Sequence, residues 1–378
     1  MEQQKTIVII GGGYAGINAI DALKKEKINK DYRIVLIDKN SHHFRKVKLF
    51  KAIVEEDFSE LFIPFSTYCN DGIEFLQGEL KAVHHEDQNI EVLDSKGQMM
   101  NLNYDLLIMA LGSVIKEVDS NNGGTTLSSL QNARTIRKHL LEEISSKSNL
   151  RISIIGAGIT GIETSAEIAT WLKGINVPDV EILLLNQHER LLCDIPQKVS
   201  RKLEKRLNSL GVTTIHHVKA HKFENERIYY NDGFELDSDF CIWTVGLQPH
   251  PCLQELGLPM TDSGKLLIDS WYRLKGCNNI YAIGDCAHII DSNTGEVAGM
   301  TCKEAMAEAK TLAKIIKADQ DGHEIEGHQA YPSLYCIGLG PTDGFMWTQK
   351  WGMDFVLSGK LGVKLRDYTW NIASLVHE

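Results

Sequence analysis

Residues 5–23 read KTIVIIGGGYAGINAIDAL, and residues 150–168 read LRISIIGAGITGIETSAEI. Each begins with a β-branched run that predicts a buried parallel strand, Thr6–Ile10 in one and Arg151–Ile155 in the other. Glycines in G-x-G-x-x-G spacing follow: Gly11, Gly13 and Gly16, then Gly156, Gly158 and Gly161. An apolar stretch that predicts a helix comes next, Ile17–Leu23 and Ile162–Leu172. In such a unit the first glycine permits a tight turn and the second lets the backbone approach a pyrophosphate. The third lets helix pack on strand, and the helix N-terminus faces the negative charge.

Working outward, each loop continues into another predicted strand. Tyr32–Ile37 ends in Asp38, 22 residues after Gly16, where an acid would accept hydrogen bonds from a ribose. Val180–Leu185 ends instead in Asn186, followed by His188 and Arg190. An amide there can still bond a ribose and repels a 2′-phosphate less than an acid does, so NAD(H) and NADP(H) both stay open. Each unit closes with an apolar strand ending in glycine, Tyr104–Gly112 and Asp239–Gly246. The pattern is an internal duplication of a nucleotide-binding module. Two dinucleotides in one chain imply electron transfer between them.

Composition is that of a globular protein: 378 residues, 43% apolar and 24% charged, enough for two or three cores. A net charge of −10 gives no electrostatic footprint for nucleic acid. The first apolar run, Ile7–Ile10, is too short for a signal peptide, and no later run reaches spanning length, so a cytoplasmic location is expected. None of the eight cysteines forms a CxxC pair, and no metal site is expected.

A third motif, Asn279–Cys286, runs as a strand into Gly284-Asp285. With the two loops and their closing strands, residues 5–320 resemble the two-dinucleotide flavoproteins, the pyridine nucleotide-disulfide reductases and their relatives. The resemblance implies FAD on the first loop, NAD(P)H on the second, and Asp285 on the flavin's ribityl chain. Within that superfamily the chain is most similar to type II NADH dehydrogenases and the ferroptosis-suppressor and apoptosis-inducing-factor branch. Three stretches carry this likeness: Asp38–Phe44, Trp243–Pro249 and Gly161–Glu167. There are departures. The third strand ends Ala110-Leu111-Gly112 in place of A-T-G. Met300–Ala307 lacks the glutamines of the quinone-side helix, keeping only the small residues Ala305 and Ala307, and the first helix has no cysteine pair.

The resemblance places Glu163 near the nicotinamide and the flavin's reactive nitrogen, with Glu167 one turn away as a structural partner. It sets the loop of Lys39, His42, His43, Arg45 and Lys46 against the flavin, where a cation such as Lys46 would stabilise a reduced anionic ring. Tyr14, Ala15, Ala110, Gly112 and Gly246 are expected to line the two cofactors. Thr301, Cys302 and Lys303 open a helix to Ile316 whose N-terminus would face the flavin's pyrimidine edge. Cys302 and Cys336 could both approach the flavin, but no cysteine lies between residues 152 and 192, where sulfide:quinone oxidoreductases carry one.

The tail, from Gly359, repeats apolar residues at Leu361, Leu365, Tyr368, Ile372 and Leu375, with Lys360, Lys364 and Arg366 on other faces. It is read either as a helix packed on the core or as an interfacial helix at a membrane holding quinone.

The expected fold is α/β: two Rossmann-type three-layer domains, the second inserted in the first, with a small C-terminal α+β region. The FAD domain would comprise residues 1–114 and 245–325, the NAD(P) domain 115–244, and the C-terminal region 326–378, covering the flavin or forming a dimer or membrane interface. The expected activity is hydride transfer from reduced nicotinamide to FAD and on to a small acceptor such as a quinone. The alternatives are a redox-sensing flavoprotein acting through a partner and a sulfide:quinone oxidoreductase-like enzyme.

Overall fold

A computed structural model describes residues 4–376, which leaves the last two residues of the tail outside the description. The strand Lys5–Ile10 forms where predicted and sits at the centre of the five parallel strands of a seven-stranded sheet. Its neighbours are Leu106–Met109 and Tyr32–Asp38, with Ile280–Ala282 and Ile73–His84 outside them, all parallel. Two further strands, Asn89–Asp94 and Met99–Asn103, extend one edge as an antiparallel meander. Ile7, Val8 and Ile9 are wholly buried, as a strand covered on both faces must be. Each such side chain removes about 1.5–3 kcal/mol of apolar exposure.

After Leu106–Met109 the chain leaves this sheet and builds another. Its five parallel strands lie in the order Thr125–Thr126, Phe240–Trp243, Leu150–Ile155, Val180–Leu185, Val212–Ile215. The outgoing segment Ser113–Ile115 and the returning segment Leu247–Pro249 pair antiparallel, so departure and return share one two-stranded bridge. The chain then adds Ile280–Ala282 to the edge of the first sheet.

Among the described residues six α-helices complete the layers: α1 (Tyr14–Lys25), α2 (Leu130–Ser146), α3 (Ile159–Gly174), α4 (Gln197–Leu210), α5 (Cys302–Asp321) and α6 (Lys360–Ala373). α1 and α5 pack together beside the first sheet. α3 is buried on more than one face, because residues Lys46–Ile53 and the strand Leu334–Gly338 cover the side away from its own sheet. Ser129 caps α2 through its side chain, and Thr301 and Glu304 form a reciprocal capping box on α5.

The C-terminal region is an antiparallel sheet, Leu334–Gly338, Gly344–Lys350 and Met353–Ser358, with α6 packed against it. The predicted tail helix forms, but its inner face is not the apolar stripe. Gly362, Arg366, Thr369, Trp370 and Ala373 are buried, while Leu361 is 63% and Tyr368 59% exposed. Gly362 lies so close to Gly344 that a Cβ there would meet the Gly344 carbonyl. Small residues, an arginine and a tryptophan, not leucines, therefore seat the helix, and the reading of Arg366 as a solvent-facing cation is corrected. No helix among the described residues is long and apolar enough to cross a membrane.

Candidate dinucleotide and electron-transfer site

The first glycine loop joins strand to helix through Gly11, whose φ of +103° an L side chain rarely adopts. A Cβ at Gly11 would also run into the Ala110 carbonyl, and one at Gly16 into the Gly11 carbonyl. Nothing stands within 4 Å of the Cβ position at Gly13, which caps α1 and faces open space. The amide of Gly12 donates to Asp38 Oδ2 at 2.7 Å, and the amide of Asn40 donates to Asp38 Oδ1 at 2.8 Å. His43 Nδ1 bonds the Gly12 carbonyl at 2.9 Å. Because a carbonyl only accepts, Nδ1 carries the proton. Burial pushes this imidazole down to about 4, so it stays neutral. The Tyr14 ring stands edge-on to His43 at 4.8 Å.

Three distant segments close around this loop. Lys46 Nζ donates to the Ser113 carbonyl at 2.8 Å, and Ser113 Oγ donates to Asp285 Oδ2 at 2.5 Å. Burial lowers Lys46, while Asp285 and Asp38 hold it up. Burial raises the Asp285 carboxyl against the pull of Ser113 and Lys46. Ala15 borders Gly284, where an added Cβ would stand 2.9 Å from the Ala15 Cβ. Ala110 N bonds Ile10 O at 2.8 Å, and Gly112 O accepts from His250 N at 3.2 Å. Lys39 is exposed beside Asp38.

The second loop repeats the first. Gly156 also has φ +103°, Gly161 abuts the Gly156 carbonyl, and Gly158 caps α3 facing open space. The Lys116 amide bonds the Gly246 carbonyl at 2.8 Å, tying the closing turn to the outgoing chain. Asn186 departs from expectation. Its amide nitrogen donates to His188 O at 3.2 Å and Arg190 O at 2.9 Å, with His216 Nδ1 at 2.9 Å, and its oxygen accepts from His188 N. Asn186 is 3% exposed, and its side chain builds the turn after the strand. Arg190 likewise braces the carbonyls of Ile195 and Cys193.

Glu163 lies on α3 and is 2% exposed. Arg366 of α6 grips it with two bonds, Nε to Oε1 at 2.7 Å and Nη2 to Oε2 at 3.0 Å, and the Gly338 amide adds a third at 2.8 Å. Burial raises the Glu163 carboxyl while Arg366 opposes that rise. Lys303 and Cys302 at the start of α5 lie within electrostatic reach of the same pair. The helix of the second loop, the N-terminus of α5 and the C-terminal helix thus converge at one ion pair. Cys302 and Cys336 are free thiols, both pushed up by burial, which opposes thiolate chemistry.

The residues fit a dinucleotide at each loop, since open space over Gly13 and Gly158 faces the amides of two helix N-termini. Ser113, Arg366 and Glu308, which bonds the Gly284 amide, were not singled out as site residues in the sequence. The adjacency of Ser113 to Gly112 was the one local signal among them.

Two dinucleotide cradles in one α/β chain, with a Gly-Asp turn returning to the first, define a nicotinamide-dependent flavoprotein oxidoreductase. The chain belongs to the pyridine nucleotide-disulphide oxidoreductase family, whose model matches residues 5–309. It is 23% identical over 345 residues to an NADH dehydrogenase-like protein, YutJ, of Bacillus subtilis, covering 90% of this chain and 92% of the other. It is 25% identical to a type II NADH:quinone oxidoreductase of Haemophilus influenzae, covering 83% and 80% of the two chains. NDH2 from Plasmodium falciparum, solved in complex with NADH, shares the fold with a TM-score of 0.82 at 17% identity, over 99% of this chain and 97% of that one.

Proposed function

We propose that this chain is an NADH:quinone oxidoreductase of the type II kind, working at a membrane surface. The observation that carries the reading is the meeting of α3, α5 and α6 at Glu163, Lys303 and Arg366. It brings the nicotinamide-side helix against the end of the flavin-side helix. The relatives named as NADH:quinone oxidoreductases support the quinone as acceptor.

The first loop, Asp38, Lys46 and Asp285 would hold FAD, and the second loop would hold NADH. Bound FAD supplies a centre that takes two electrons as hydride from reduced nicotinamide and passes them on. The protein's own part is orientation: two helix N-termini fix the pyrophosphates, and Glu163 with Arg366 sets the charge beside the reacting rings. The reaction NADH + H⁺ + quinone → NAD⁺ + quinol consumes one proton. Glu167, one helical turn from Glu163, has a carboxyl pushed up by burial to about 7, with Lys51, Glu55 and Asp367 beside it. That row would carry the proton inward from solvent.

Membrane contact is read from the C-terminal region. Trp351 (79% exposed), Met353 (55%), Phe355 (44%) and Leu361 (63%) are open to solvent, accompanied by the exposed Lys350, Lys360 and Lys364. Apolar and aromatic residues with flanking lysines suit an anionic lipid surface.

The test is steady-state NADH oxidation by the purified protein with a soluble quinone, run beside ferredoxin, disulfide and sulfide. Sustained turnover with quinone alone supports the reading. A reduced complex that persists without turnover would replace it with a redox-sensing role. Co-sedimentation with anionic vesicles, and release by salt, tests the surface separately.

A further inference from the structure

Glu308 is a buried acid that the reaction above does not use. It lies on α5, is 2% exposed, and accepts the Gly284 amide on Oε2 at 2.7 Å. Gly284 has φ +72° and opens the turn that carries Asp285. Ser113 holds Asp285 from one side, and Glu308 holds the peptide before it from the other. Beside Glu308 is a cavity about the size of one water, bordered also by Lys265, Asp285 and Thr301.

We propose that Glu308 is a positioning residue for the flavin: its carboxyl accepts the Gly284 amide and holds the Gly284–Asp285 turn in its binding shape, and the negative charge its ionisation adds beside Asp285 opposes the flavin's anionic pyrophosphate and weakens flavin retention. The inference rests on the flavin reading of the first loop.

The surroundings give the sign. Glu304 on the same helix and Asp285 and Cys286 on the turn are acids or potential anions, and Tyr272 packs near with its hydroxyl bonded to His328. Lys265 is the cation that opposes them. Burial, with Glu304 and Asp285, pushes the Glu308 carboxyl up to about 8 in the flavin-free protein. FAD brings a pyrophosphate dianion and removes solvent, so binding favours the protonated acid further. Below about pH 8 Glu308 is protonated whether or not flavin is bound, and it adds no pH dependence. Above that value the free protein loses its proton and the bound form keeps it. Affinity then falls with rising pH, by up to about tenfold per pH unit.

The experiment measures flavin fluorescence released on dilution of the yellow holoprotein, from pH 6.5 to 9. The wild type should hold flavin evenly to about pH 8 and about tenfold less tightly at pH 9. Glu308→Gln keeps an acceptor for Gly284 and cannot ionise, so its profile should be flat. Lys265→Met removes the opposing cation and should move the onset of release to higher pH. A flat wild-type profile, the same slope in Glu308→Gln, or an onset moved downward in Lys265→Met overturns the inference while leaving the flavin site intact. A wild type that binds no FAD overturns the site reading itself, and this inference with it.

Discussion

The two glycine loops share a backbone and differ in what stands at the end of the next strand. Gly11 and Gly156 have the same φ of +103°, and Gly13 and Gly158 cap their helices at φ −70° and −74°. Yet Asp38 accepts backbone amides from Gly12 and Asn40, whereas Asn186 donates to carbonyls of its own turn. The loops also face different company. A Lys46–Ser113–Asp285 chain closes over the first, and a Glu163–Arg366 ion pair rises from the helix of the second. Glycine spacing sets the cradle, and the long-range partners of the neighbouring polar residues set what each cradle is for.

The largest expected effect separates the loops by function. Gly13→Val should yield protein that loses flavin, with affinity reduced at least about a hundredfold, roughly 2.7 kcal/mol, as amide bonds to a phosphate are blocked. Gly158→Val should keep its flavin colour, resist reduction by NADH in stopped flow, and still bleach with dithionite. If the two variants behaved alike, the division of labour between the loops would be wrong.

Next comes the ion pair. Arg366→Ala leaves a buried carboxylate without its cation and should cost about 3–5 kcal/mol, seen as a lowered melting temperature. With Arg366 gone, burial raises Glu163 against only the Gly338 amide and Lys303. The Glu163 carboxyl then takes up a proton in the folded state, and the lost stability should return as pH is lowered. Glu163→Gln in the same chain should recover part of the loss near neutral pH. A melting temperature unchanged by Arg366→Ala would show that the pair does not hold α6.

Smaller effects test the terminal residues against each other. Asn186→Asp removes two donors and points an anion at the carbonyls of His188 and Arg190, so it should cost about 1–3 kcal/mol and weaken NADH binding. Asp38→Asn keeps one acceptor oxygen and should cost about 1 kcal/mol, read as weaker flavin retention. Equal costs would mean that the two strand ends play equivalent parts, and the reverse ranking would overturn the distinction drawn between them. The smallest change is Thr301→Ala, which removes half of the α5 capping box and should cost about 1 kcal/mol by thermal melting without altering NADH affinity.

The legibility of these features followed their range in the chain. The tail helix shows how pattern misleads: the period of Leu361, Leu365, Tyr368 and Ile372 announces a helix, and convention turns those residues inward. The structure turns Arg366 and Trp370 inward instead, because the surface they meet offers Glu163 to one and a flat glycine contact at Gly344 lets the helix approach. The position of Asn186 was legible, but its partners in the turn were not, since nothing nearby in sequence declares His216.

The sequence by itself determined the two strand–glycine–helix units, the Gly-Asp turn and the duplication that unites them. Those rest on local rules: β-branched runs form buried strands, and a φ near +103° requires glycine wherever the chain then goes. Only the tertiary structure decided that Glu163 meets Arg366 across 203 residues, that Ser113 reaches Asp285 across 172, and that Glu308 grips the Gly284 turn. A buried charge or amide must find its partner where the packed chain supplies one, and that position is a property of the assembled layers, not of the residues beside it.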